Sequence, residues 1–187
     1  IEQTSTTASS ILINNSDGTK GLWNANRNIT IDGLIFINKS KFCCVAFGHC
    51  QDISIKNCRF DNTSEEMQGH HIEINSCYEV LIENCYFTSK KNLNECVQLD
   101  VATSSSAFPW FGPYDSTHCK NIKINKCTFY RNILPDANIL DVKLDSAIGN
   151  HNGSDNAKIT NVIVSNNLIH GYKTGIAFRY LVDSKII

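Results

Sequence analysis

Ile53-Ser-Ile-Lys-Asn-Cys-Arg-Phe60 decides the fold, because the chain repeats its chemistry at Ile29–Phe36 (ITIDGLIF), Val80–Phe87 (VLIENCYF), Ile122–Phe129 (IKINKCTF) and Val162–Ile169 (VIVSNNLI). Slot one holds Ile29, Ile53, Val80, Ile122 and Val162; slot three holds Ile31, Ile55, Ile82, Ile124 and Val164. This alternation is that of a strand with one buried face. Slot eight is Phe36, Phe60, Phe87, Phe129 and Ile169, and slot six is Leu34, Cys58, Cys85, Cys127 and Asn167. The apolar set therefore changes parity between slots three and six, and the chain must bend there. Gly33, Asn57, Asn84 and Asn166 fill slot five, and these residue types tolerate a left-handed backbone at low cost. Lys126 is the exception.

Slot one recurs after 24 and 27 residues, then after 42 and 40. A strand, corner and strand at such a period indicate a solenoid, in which no coil buries its own apolar row. The two long intervals require insertions of about 15 residues or an extra partial coil, and lateral insertions are where solenoids build binding surfaces. A further strand accompanies each repeat: Val45-Ala-Phe47, Ile72-Glu-Ile74, Val97-Gln-Leu99 and Ile176-Ala-Phe178. The third aligns once Val101–His118 is treated as an insertion. Ile11–Ile13 reads as a strand of an incomplete first coil.

A length of 187 residues with 42% hydrophobic content suits one domain, 1–187, with a continuous core. The initial Ile suggests a processed chain or a piece of a longer protein. A net charge of -1 without a Lys/Arg block argues against nucleic acid, and no apolar run nears the length that spans a membrane. The nine cysteines fall mostly in columns: Cys50, Cys77 and Cys119 stand three residues before slot one, and Cys58, Cys85 and Cys127 occupy slot six. Stacked coils hold equivalent side chains parallel and about 4.8 Å apart, which is poor disulfide geometry. The expectation is a ladder of buried thiols rather than bridges or zinc. Cys43 and Cys44 should point to opposite faces, as should His70 and His71, of which one is expected to be buried; His49 and His118 fall at corners with no role assigned.

Outward positions of the accompanying strand read Ala46, Glu73, Gln98, Ala177 in one column and Gly48, Asn75, Asp100, Arg179 in the next. In the fourth coil two segments compete. Val142-Lys-Leu144-Asp145 would place Lys143 and Asp145 in the columns, whereas Ile148-Gly-Asn-His151 would place Gly149 and His151 there with an inward Asn150. The insertion carries Phe108-Pro-Trp-Phe-Gly-Pro-Tyr114-Asp115, which should overhang the same polar face. Exposed aromatic rings beside carboxylates suit sugars, although Trp110 and Phe111 equally well plug the side of a solenoid.

These residues resemble the right-handed parallel β-helix of the pectate-lyase-like superfamily, which includes polygalacturonase-type glycoside hydrolases and polysaccharide lyases. FGHCQDISIKNCRF, HHIEINSCYEVLIENCYF, ECVQLDVA, FPWFGPYD and AIGNH also look like bacterial secreted or surface β-helix proteins of hydrolase-like description. The resemblance covers Asn26 to Ile187 and implies an all-β, right-handed parallel β-helix of five to six coils, extracellular or at the cell surface. Polygalacturonases place Asn-Thr-Asp, Asp-Asp, Gly-His-Gly and Arg-Ile-Lys on successive coils of one face. Here Glu73-Ile-Asn75, Leu99-Asp100, Gly149-Asn-His151 and Arg179-Tyr180 keep acid, acid, histidine and arginine in order without matching a motif. In the lyases an acidic calcium cluster is usual, and Glu73, Asp100 and Asp115 could supply oxygen ligands; otherwise no cofactor is implied.

Glu73 and Asp100 lie one coil and two residues apart, a backbone separation of roughly 8 Å that suits two carboxylates flanking a glycosidic bond. The expected roles are Asp100 as general acid, Glu73 or Asp115 as base, His151 tuning Asp100, and Arg179, with Gln98, Asn75, Trp110 and Tyr114, holding substrate. The residues are equally consistent with a solvated outer sheet face. Cleavage of a polysaccharide or oligosaccharide is therefore the leading expectation, with a non-catalytic glycan-binding adhesin or a phage tailspike segment as alternatives.

Overall fold

The computed structural model describes residues 1–3, 9–14, 25–39, 42–63, 69–89, 95–103, 112–131, 146–150 and 158–187. Its strands form three parallel sheets wound as a right-handed parallel β-helix. Each full coil passes through sheets II, III and I in turn. Sheet II stacks Ile11–Asn14, Val45–Gly48, Ile72–Asn75, Glu95–Asp100, Ser146–Gly149 and Thr174–Ala177. Sheet III stacks Asn26–Asp32, Cys50–Lys56, Tyr78–Glu83, Lys120–Asn125, Ile159–Ser165 and Leu181–Val182, with Lys185–Ile186 also paired to the fifth. Sheet I stacks Glu2–Gln3, Ile35–Asn38, Arg59–Asn62, Tyr86–Ser89, Thr128–Arg131 and Leu168–His170.

The register follows the repeat slot by slot. Ile29, Ile53, Val80, Ile122 and Val162 pair in succession, as do Phe36, Phe60, Phe87, Phe129 and Ile169. The four phenylalanines are fully buried and stack with ring centroids 4.8, 5.0 and 4.7 Å apart and planes within 7° of parallel. Strand spacing imposes that distance, which is also the offset-stacking distance of aromatic rings. The corner at slot five is left-handed throughout: Gly33 at φ 69°, Asn57 at 52°, Asn84 at 53°, Asn166 at 55° and also Lys126 at 53°. A second left-handed column, Asn28, Asp52, Glu79, Asn121 and Asn161, precedes slot one and went unread in the sequence. Amide side chains rung these columns together, with Asn57 donating to Asp32, Asn84 to Asn57, and Asn161 to Asn121 at 2.7–2.8 Å.

All nine cysteines are free and buried, the six in the columns as the column argument predicts. Their S–H groups donate to corner carbonyls that also accept a backbone N–H from the preceding coil: Cys58 to Lys56, Cys77 to Asn75 and Cys119 to Asp100, at 3.0–3.2 Å. Cys44 joins the main core, while Cys43 lies outside it with Ala46 and Ala102. Val101–His118 is an insertion: Lys120 pairs with Tyr78, and Cys119 takes the place that Cys77 holds one coil earlier. Register also decides the fourth coil. Ile148 pairs with Val97 and Gly149 with Gln98. Lys143 and Asp145, the competing candidates, lie outside the described residues.

Candidate functional site

The outer columns of sheet II form as counted. Ala46, Glu73, Gln98, Gly149 and Ala177 are in register, and so are Gly48, Asn75 and Asp100. The face differs from expectation in being covered. Glu73 is 9% exposed, Gln98 2%, and Asn75 and Asp100 0%. On this outer side Cys43 and Ala102 pack with Ala46. Glu73 Oε2 accepts from Cys43 Sγ at 3.2 Å, and Gln98 Nε2 donates to Asp100 Oδ2. Burial pushes the Cys43 thiol well up and the Glu73 charge adds to it, so sulfur remains the donor. Ser76 Oγ bridges the next corner, donating to Asn75 Oδ1 at 3.4 Å and accepting from Ala102 N at 2.9 Å.

The described return limb of the insertion, 112–118, reaches this end of the sheet, and Asp115 is engaged there. Asp115 Oδ1 lies 3.2 Å from His49 Nε2 and accepts from Thr117 N at 2.9 Å. His49 is fully buried at a left-handed corner, φ 50°, equivalent to Ser76 one coil later. Asn14 Nδ2 donates to Gly112 O at 3.2 Å, so the insertion's return limb reaches back to the first coil. His49, given no role from sequence, is thus the anchor of Asp115, and the usable signal was its position directly before a ladder cysteine. Tyr114 is 37% exposed. Arg179 is exposed, and its backbone N donates to Asn150 Oδ1 at 2.7 Å while its carbonyl accepts from Asn150 Nδ2 at 3.3 Å. That exchange is how a buried Asn150 is tolerated. His151 and Trp110 lie outside the described residues.

At the opposite end of sheet II, His70 Nδ1 sits 3.1 Å from the Glu95 carbonyl oxygen and 3.4 Å from Glu95 Oε2, and Ser146 Oγ donates to Oε1 at 3.5 Å. His71 faces inward, tilted between the rings of Phe60 and Phe87, with Nε2 donating to Thr88 O at 2.9 Å. Both histidines are buried, where the sequence required only one. Among the described residues no three His, Cys, Asp or Glu side chains converge as a metal site would require, and no helix is long and apolar enough to cross a membrane.

No protein-family profile matches the chain, and no curated protein does. Two solved structures of PfbA, described as a surface adhesin of Streptococcus pneumoniae, match its fold. One aligns over 96% of this chain and 44% of the adhesin with a TM-score of 0.65 at 18% identity. The other aligns over 97% and 48% with a TM-score of 0.61 at 17% identity. This chain therefore spans less than half of the adhesin chains it matches, and what it shares with them is the parallel β-helix.

Proposed function

We propose that this chain is the β-helical part of a cell-surface, adhesin-like protein that binds a glycan without cleaving it. The observation that carries the reading is the state of the carboxylates that cleavage would use. Glu73 accepts from Cys43, Asp100 from Gln98, and Asp115 from Thr117 beside His49, and the first two are buried. A glycosidase needs two carboxyl groups open to one bond, with room for water on the inverting route. A fold shared with surface adhesins supports the same conclusion. Incubation with a panel of polysaccharides, followed by mass spectrometry of the soluble products, should show retention and no new fragments. Fragments from the wild type that disappear in Asp100→Asn would overturn it.

Cleavage remains the second reading, on one observation: Glu73, Gln98, Asn75 and Asp100 occupy adjacent, registered positions on one sheet face. In it Asp100 is the general acid, Glu73 or Asp115 the base, His151 tunes Asp100, and Trp110, Tyr114 and Arg179 hold the sugar.

A further inference from the structure

Sheet I presents a second outer face that the repeat itself builds. Its outward columns are Ile35, Arg59, Tyr86, Thr128, Leu168 and Ile37, Asp61, Thr88, Tyr130, His170, each in register. A groove of about 400 Å³ opens here, lined by Arg59, Asp61, Tyr86, Thr88 and Tyr130 among others. Small Thr88 makes the depression: it is flanked in its column by Asp61 on one side and Tyr130 on the other. The Tyr130 ring stacks on His170 with centroids 5.0 Å apart, so one face is covered and the other is left toward Thr88. The Tyr86 ring is likewise capped on one side, by the Arg59 guanidinium 5.4 Å from its centroid.

The polar side of the groove is preorganised. Asp61 accepts from Arg59 Nε at 2.7 Å and from Thr88 Oγ1 at 2.8 Å, fixing the carboxylate while leaving its remaining lone pairs available. Asp61 and Tyr130 stand two coils apart, a backbone distance of about 9.6 Å. A pyranose ring stacked about 4 Å from an aromatic face would bring its far hydroxyls to hydrogen-bonding distance of that carboxylate. The Arg59 charge is already matched by Asp61, so an acidic sugar would bring an unpaired carboxylate against Asp61. A neutral sugar meets no such repulsion.

We infer that this groove is a saccharide subsite, taking one neutral pyranose ring on the free face of Tyr130 with its hydroxyls donating to Asp61. The inference rests on the glycan-binding reading and adds the place, which is not the face of sheet II. A single ring should bind weakly, in the millimolar range, because few atoms are engaged.

The test titrates the full chain with the methyl pyranosides of glucose, galactose, mannose and N-acetylglucosamine, followed by NMR. At least one should bind saturably. Tyr130→Ala and Asp61→Ala should each weaken it about five- to tenfold, while Tyr130→Phe, which keeps the ring, should stay within about threefold. Circular dichroism confirms that each variant keeps its sheet. Binding unchanged in Tyr130→Ala but weakened in Tyr114→Ala or Arg179→Ala would overturn this site and leave the glycan reading standing. Absence of binding by the wild type would overturn both.

Discussion

At Asn84 the backbone sits at φ 53° and the side chain donates to Asn57 Oδ1 at 2.7 Å, so one residue performs two tasks. Asn84→Ala loses both, since a left-handed conformation costs an ordinary L-residue about 1–2 kcal/mol and a net hydrogen bond adds about 1 kcal/mol. Asn84→Gly keeps the backbone and loses only the rung. Urea unfolding should therefore place Asn84→Ala below Asn84→Gly, and the reverse order would contradict the corner geometry. His71 gives a pH signature. Burial lowers its pKa to about 4 from an ordinary value near 6.5; the hydrogen bond to the Thr88 carbonyl and the Asp61 charge oppose the shift, and His70 adds to it. The unfolded chain thus binds the proton more readily between these values, and stability falls as pH drops through that window. The loss reaches on the order of 3 kcal/mol at pH 4. His71→Phe should remove this component, seen as a smaller difference between urea midpoints at pH 7 and pH 4.5. Slot five was legible because Gly and Asn announce left-handed corners. The second left-handed column carries the same signal in Asn28, Asn121 and Asn161, with Asp52 tolerant as well and only Glu79 departing from it, so it was legible though unread.

Among elements, the cysteine ladder follows from strand spacing. Burial pushes the Cys44, Cys96 and Cys119 thiols up to about 12, while the side chain of neighbouring Cys77 pulls Cys50 down and that of Cys85 pulls Cys127 down. Every sulfur is enclosed, so access governs reactivity and not pKa alone. Native protein should leave Ellman's reagent almost unreacted over minutes and release all nine equivalents in guanidinium; rapid reaction in the native state would contradict the ladder. The columns of sheet II were equally legible, because side-chain period and register are countable. Their burial was not. Cys43, which donates to Glu73, lies 30 residues before it and packs with Ala46 and Ala102, and no periodicity says which segments will meet outside a sheet. The tie of Asp115 to His49 likewise joins two loops 66 residues apart.

For the whole molecule, parallel stacking converts a one-dimensional repeat into continuous walls, and each wall has its own chemistry. The inner walls are isoleucine, valine, phenylalanine and thiol ladders. One outer wall, on sheet II, carries buried acids already hydrogen-bonded; another, on sheet I, carries rings and an ion pair in the open. The acids of the former stand out in the sequence because carboxylates in register suggest catalysis, whereas Tyr86, Thr88 and Tyr130 of the latter were given no role there. A crystal structure of the chain soaked with a neutral oligosaccharide that it retains compares the two walls in one measurement. The account predicts an intact sugar with a ring against Tyr130 and a hydroxyl on Asp61. A sugar lying over Asp100 and Glu73, cleaved between them, would contradict it.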